Sequence, residues 1–388
     1  MEYDFSRPTD RHGTDSYKWD STPEADIIPL WVADMDFETF PCITEALQRR
    51  VAHGIFGYTH VPEAYYEAVC NWFGKRHGWH INREDIIYTS GVVPAVSAVI
   101  KALTLPGDQV IVQGPVYNCF FSCIKNSGCE VEENELKRVG NCTYEIDFED
   151  FERKCADEKT KAFLLCNPHN PGGIVWKKET LVRLADICAK HNILVISDEI
   201  HAEMAYPQYT HYPFASVSDT AASCSVTFMA PSKTFNIAGI VTSYAIVPND
   251  RIREEFYSFL EAGEFGDGTI FAYTATTAAY TYGAEWLQQM RMYIMENVRF
   301  VEEFMKQHLP KIKVYQPQAS FLVWLDCREL KLSQDELVHL FKDKAGLALN
   351  DGSIFGPGGE GHMRLNIGCP RSVLDKAMNA LKKAVDKK

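Results

Sequence analysis

From about residue 85 to residue 250 the sequence alternates short β-branched or apolar runs with segments whose apolar residues recur at helical spacing. Ile86-Ile87-Tyr88-Thr89 reads as a strand, Val92 to Leu103 as a helix, Gln109-Val110-Ile111-Val112 as a strand and Tyr117 to Asn126 as a helix. Ala162 to Cys166 is a further strand. Lys178 to His191, with Leu181, Leu184, Ala185 and Cys188 in phase, is a further helix. Ile193 to Ser197, Ser225 to Met229 and Thr242 to Val247 complete the strand set. Strands without a polar side need cover on both faces. The order therefore predicts an α/β fold with a mostly parallel, doubly wound sheet.

Beyond Arg251 the pattern changes to long helices, broken at Gly263-Glu264-Phe265-Gly266-Asp267-Gly268. A helix from about Glu285 to His308 leads to a strand at Ser320–Asp326, a helix at Gln334–Ala345 and a strand at Met363–Ile367. With 388 residues the chain is long enough for two or three domains. The expected division is an N-terminal segment over 1–48, packing with the smaller domain, a large α/β domain over 49–284 and a small α+β domain over 285–388. The excess of 52 Asp+Glu over 39 Lys+Arg gives a net charge of -13, which leaves no basic face for nucleic acid or an anionic membrane. Met1-Glu2-Tyr3-Asp4 opens without an apolar signal region, and the apolar stretch Val92–Leu105 carries Pro94 and Lys101 and is too short to span a bilayer. Twelve scattered cysteines with no CxxC pair read as reduced thiols of a cytoplasmic protein. His77-Gly78-Trp79-His80 suggests no third metal ligand and reads as surface histidines, and Gly352 to Gly361 reads as a flexible loop.

Ligands of open parallel sheets collect at the C-terminal strand ends, and four of these ends are chemically unusual. Ser90-Gly91-Val92-Val93 offers a tight turn and a helix N-terminus to an anion. Cys166-Asn167-Pro168-His169-Asn170-Pro171-Gly172-Gly173 forces an irregular loop that presents Asn170. Ser197-Asp198-Glu199-Ile200-His201 places a carboxylate at the end of a buried strand, where it needs a cation or several donors. Ala230-Pro231-Ser232-Lys233-Thr234-Phe235-Asn236 places a lysine there, in surroundings that favour a neutral, nucleophilic amine. Glu199 reads as structural. An acid, an amine, an amide and a phosphate cradle on one sheet edge are what pyridoxal phosphate requires.

On these motifs the chain resembles the fold-type-I pyridoxal-phosphate enzymes of the aminotransferase class I/II group, from about Trp31 to Arg364. The resemblance implies that Lys233 is the Schiff-base lysine, that Asp198 pairs with the pyridinium nitrogen, and that Asn170 bonds the ring 3-oxygen. It also implies that Tyr117, in Gly114-Pro115-Val116-Tyr117, stacks on the ring, and that Gly91, Val92, Val93 and Ser232 hold the phosphate. Arg364, in His362-Met363-Arg364-Leu365-Asn366, matches the fork that grips the substrate α-carboxylate. His201 sits beside the cofactor or caps the strand end; the sequence leaves both open.

Many aminotransferases of this group carry an arginine about eight residues after the lysine. Here Asn236-Ile237-Ala238-Gly239-Ile240-Val241-Thr242-Ser243 has none. The wording is closer to carbon–sulfur β-lyases of the cystathionine β-lyase and cystalysin type, in Trp31-Val32-Ala33-Asp34-Met35-Asp36-Phe37, Phe56-Gly57-Tyr58 and Ser232 to Gly239. That likeness implies α,β-elimination of L-cystathionine or a related S-substituted cysteine to pyruvate, ammonia and a thiol. It also implies a homodimer in which Tyr58 reaches the partner's cofactor and contacts its substrate. Tyr58 and Tyr117 are the candidate assisting groups. An aminotransferase, or a binding protein that keeps the fold, are the alternatives.

Overall fold

The computed structural model describes residues 2–22, 26–140 and 142–386. The alternating region forms one seven-stranded sheet. Its strands are β1 (Ile86–Thr89), β2 (Gln109–Val112), β3 (Glu130–Glu133), β4 (Thr160–Cys166), β5 (Leu194–Asp198), β6 (Ser225–Met229) and β7 (Ser243–Ile246). Their spatial order is β1-β7-β6-β5-β4-β2-β3, and β7 alone runs against the rest. A parallel strand needs a crossover that returns the chain to the opposite edge. Residues 230–242 hold no such helix, so β7 re-enters the sheet from the edge that β6 leaves. The sequence reading missed β3 because Glu-Val-Glu-Glu is not an apolar run. It is an edge strand, where one side meets water.

The helices are α1 (Pro41–Ala52), α2 (Glu63–His77), α3 (Val92–Leu103), α4 (Cys119–Asn126), α5 (Phe148–Cys155), α6 (Lys178–Lys190), the short α7 (Asp219–Ser223), α8 (Asp250–Ala262), α9 (Ile270–Tyr282), α10 (Ala284–His308), α11 (Gln334–His339) and α12 (Arg371–Asp386). Successive strand side chains point to opposite faces, and each face has its own core. Val110, Val112, Leu164, Ile196 and Phe228 pack with Val96 and Val99 of α3, Phe120 of α4 and Phe256 of α8. On the other face Ile111, Phe163, Leu165 and Val195 meet Phe151 of α5 and Leu181 and Leu184 of α6. α3 shows why such a helix forms. Val92, Ala95, Val96, Val99 and Ile100 bury one stripe, and Pro94 sits in the first turn, where a missing N–H costs nothing.

The C-terminal part builds a four-stranded antiparallel sheet from β8 (Lys313–Val314), β9 (Leu322–Asp326), β10 (Asn350–Asp351) and β11 (His362–Asn366), ordered β8-β9-β11-β10. The helix expected over 334–345 is regular only to His339, after which Leu340–Lys344 widens into a π-helical turn. Residues 28–36 run against this part of the molecule. Ile28 and Pro29 pair in parallel with Leu347 and Ala348, and the Asp36 N–H donates to the Gly368 carbonyl at 2.7 Å. All twelve cysteines are free thiols. Among the described residues no helix is long and apolar enough to cross a membrane.

Candidate active site

Strands β4 and β5 are in register at Cys166 and Asp198, and β5 and β6 at Asp198 and Phe228, so their ends share one edge of the sheet. Asp198 is buried there, and its Oδ1 accepts from the Ile200 N–H at 3.1 Å. Burial, reinforced by the neighbouring Glu199, pushes its carboxyl up to about 6, against the pull of that N–H and of Lys233. Glu199 points away and is structural, as expected. It accepts from Ser197 Oγ at 2.8 Å and the Phe214 N–H at 2.7 Å, and pairs with His211 Nε2 at 2.8 Å.

Lys233 follows β6 in the turn after Pro231. Burial lowers its pKa, Arg364 adds to that, and the charges of Asp34 and Asp198 oppose it. Its Nζ donates to the carbonyl of Ala33 at 2.7 Å. That carbonyl belongs to a strap, residues 31–37, which bends at 32–33 and 36–37 and to which the sequence assigns no role. The Asn236 side chain brackets the strap, accepting from the Met35 N–H at 2.9 Å and donating to the Met35 and Phe37 carbonyls at 2.8 Å. Asn366 Nδ2 donates to the carbonyls of Val32 and Asp34 at 2.5 and 2.6 Å. Beneath it lies a charge cluster. Arg11 pairs with Asp34 and Asp36 at 2.7 and 2.8 Å, and the fully buried Lys18 reaches Asp36 at 2.8 Å. Asp34 and Asp36 face the same cations, and their spacing of two residues was the one available sequence signal.

Arg364 lies on β11, opposite Trp324 and Asn350. Its Nη1 donates to Asn170 Oδ1 at 3.1 Å, and its Nη2 donates to Asn350 Oδ1 at 2.6 Å and the Trp31 carbonyl at 3.1 Å. The small sheet and the Asn-Pro loop thus meet directly. Burial brings the guanidinium down to about 10, so it stays charged at neutral pH. Tyr117 is half-buried ahead of α4, which begins at Cys119 rather than at Tyr117. Burial raises its phenol well above the ordinary range, and it feels both Asp198 and Arg364. His201 does not cap the strand. Its Nδ1 meets Ser320 Oγ at 3.2 Å, and burial with Lys233 and Arg364 nearby pulls it down to about 3, which keeps the imidazole neutral.

The opposite end of the site is the start of α3. Gly91 adopts φ 102°, a conformation other residues resist, and its N–H is taken by Ser243 Oγ at 2.9 Å. The first-turn amides of Val92 and Val93 have no acceptor within the helix and lie at its positive end. Ser232 is buried one residue before Lys233. Tyr58 is elsewhere: it is fully exposed before α2 and joins none of these contacts within the chain.

Two other expectations change. His77 is not a surface histidine. Its side chain is buried against Glu203 at 2.7 Å, and Glu203 also pairs with Arg76 and accepts from Trp72 Nε1 at 2.9 Å. Among the described residues no group of three His, Cys, Asp or Glu is placed to hold a metal. The segment 352–361 is a packed turn rather than a loose loop, because a side chain at Gly352 would collide with the carbonyls of Gly359 and His362.

This donor set fits pyridoxal phosphate. The raised carboxyl of Asp198 suits a cationic ring nitrogen, Lys233 an aldehyde, Asn170 a phenolic oxygen, and the α3 terminus with Ser232 a phosphate. Residues 25–381 match the family model of aminotransferase class I and II. The chain belongs to this family. Within the aminotransferase class I and II family, it is 44% identical to cystathionine beta-lyase PatB of Bacillus subtilis, over 98% of this chain and 99% of that protein. It is 34% identical to protein MalY of Escherichia coli, over 99% of both. Cystalysin from Treponema denticola, solved with pyridoxal 5′-phosphate, superposes with a TM-score of 0.97 at 38% identity over the full length of both chains.

Proposed function

We propose that Lys233, Asp198, Asn170, Tyr117, Ser232 and Arg364 form a site that cleaves the Cβ–S bond of L-cystathionine or a related S-substituted cysteine. The chain is a pyridoxal 5′-phosphate-dependent carbon–sulfur β-lyase. The observation that carries the site reading is the meeting of an amine, a raised carboxyl and a charged guanidinium at one sheet edge, with Lys233 within the fields of Asp198 and Arg364. The large domain over 49–284 supplies the first two, and the small domain over 285–388 supplies the third.

When bound, the cofactor supplies an aldehyde for the substrate amine and a protonated ring that accepts the electron pair left at Cα. The protein does the rest. Arg364 holds the α-carboxylate in a fork that Asn170 and Asn350 orient from either side. Lys233 Nζ takes the Cα proton, and burial, by lowering its pKa, favours the neutral amine that can accept it. Asp198 holds the proton on the ring nitrogen. A thiol has a pKa near 8.5 in water, so the sulfur departs from Cβ without a dedicated acid. Neutral His201 adds no competing charge beside Lys233.

Incubation with L-cystathionine tests the reading. Pyruvate formed without an added 2-oxo acid supports it, whereas product that requires such an acceptor makes the protein an aminotransferase. For Arg364→Lys, a point charge replaces the fork, and KM for the amino acid should rise by about tenfold or more while the bound cofactor's absorbance stays. An unchanged kcat/KM would remove Arg364 from the carboxylate site.

The assembly belongs to the same proposal. Val51, Ile55, Phe56 and Tyr58 expose 53%, 67%, 57% and 109% of their surface within eight residues of chain, an apolar face of the kind that marks an interface. We read it as the face of a homodimer that carries Tyr58 into the partner's site. Co-expression of Tyr58→Ala with Lys233→Ala, each inactive alone, should then restore pyruvate formation, because mixed dimers rebuild one intact site. No recovery in isolated mixed dimers would mean that Tyr58 serves its own chain or none.

A further inference from the structure

We infer that Phe355 is a positioning residue for Arg364, one that fixes the plane of the guanidinium and with it the demand for an α-carboxylate; this rests on the reading of Arg364 as the carboxylate fork. The Phe355 ring lies 4.9 Å from Arg364 Cζ, with the cation over its face. Arg364 is buried, and its Nε is a buried donor with no hydrogen-bond partner. The ring offers the cation its negative π-face. Phe355 cannot swing away. It is fully buried, and Trp324 meets it edge-on at 5.2 Å and 70°. Trp324 is stacked in turn on His362 at 5.0 Å and 3°, and its Nε1 donates to Tyr144 Oη at 3.2 Å. The Phe355 carbonyl accepts from the Val116 N–H at 2.8 Å, directly before Tyr117.

A bidentate carboxylate must lie near the plane of the guanidinium, so whatever sets that plane sets the angle at which the substrate enters. Asn170 holds Nη1, and Asn350 and the Trp31 carbonyl hold Nη2, so the hydrogen bonds all lie at the terminal nitrogens and none at Nε. The aromatic face backs the group where no hydrogen bond does. A fork held in this way discriminates for a carboxylate on Cα, and contributes nothing to an amine that lacks one.

The test uses the loaded enzyme and two probes, S-ethyl-L-cysteine and its decarboxylated counterpart 2-(ethylthio)ethylamine, with dissociation constants read from the change in visible absorbance on binding. For Phe355→Leu the amino acid should bind about tenfold more weakly. KM should rise in parallel, with kcat moved far less, while the amine binds as it does to the unaltered enzyme. Phe355→Tyr, which keeps the ring, should restore amino-acid binding. Pentafluorophenylalanine at position 355 keeps the shape and reverses the ring's quadrupole, so it should reproduce the leucine effect even if leucine impairs folding. Equal weakening of both probes, or amino-acid binding within twofold of normal in the fluorinated protein, overturns the inference. If Arg364→Lys binds both probes normally, the fork assignment itself fails, and Phe355 falls with it.

Discussion

Lys233→Ala should lower pyruvate formation from a thioether amino acid by at least about a thousandfold, equivalent to about 4 kcal/mol of barrier. The loss is this large because one side chain performs two tasks, carrying the cofactor and moving the Cα proton. No neighbour can substitute. His201 is held neutral but is pulled down to about 3, too weak a base to take a proton from carbon. Tyr117 has its phenol raised, which makes it a poorer base-forming acid at neutral pH. Two readouts separate the tasks. Borohydride should fix cofactor to the unaltered protein at Lys233 and fail to fix it to the variant. Added methylamine should then recover part of the proton-transfer rate. Pyruvate formation at the normal rate by the variant would remove Lys233 from the chemistry.

Asp198→Asn should separate stability from activity. In the cofactor-free protein the carboxyl titrates at about 6, against an ordinary value of 3.8. Between those values the folded state binds more protons than the unfolded chain, so stability falls as pH rises through this window. Above pH 6 the full cost remains, about 3 kcal/mol for a shift of roughly two units. Asparagine has no charge to desolvate. The cofactor-free variant should therefore unfold at a higher temperature than the parent at pH 7, and at nearly the same temperature at pH 4. Its turnover should fall by about a hundredfold or more, because an amide cannot hold the ring nitrogen protonated. Equal melting temperatures at pH 7, or retained turnover, would contradict the assigned environment.

The large sheet was legible in the sequence because its strands are apolar on both sides and its helices keep one phase. β6 and α3 match their expected bounds to the residue. The four strand-end motifs were legible because glycine, proline and charge are improbable at buried ends unless something binds there. What escaped detection has a common physical character. β3 hides behind three glutamates. The strap acts through the backbone carbonyls of Trp31 and Ala33, which no side-chain pattern encodes. Phe355 sits among glycines that suggested a slack loop, and its importance lies in what it lies under. Lys18 would pass for a surface lysine in any sequence. Only its depth below Asp34 and Asp36 gives it a role.

The strap also has a consequence for the order in which this site comes into being. Its carbonyl at Ala33 waits for a lysine 200 residues downstream, and that of Trp31 for an arginine 333 residues downstream. During synthesis at about 5–20 residues per second the strap emerges first and its last partners roughly 20–70 s later. For that interval Asp34 and Asp36 can already neutralise Arg11 and Lys18, all four lying within one short stretch of chain. These ion pairs need no residue yet to be made, whereas the strap itself is fixed only when Asn236, Asn366 and Gly368 arrive. No contiguous fragment that lacks either Trp31 or Arg364 can contain the whole site.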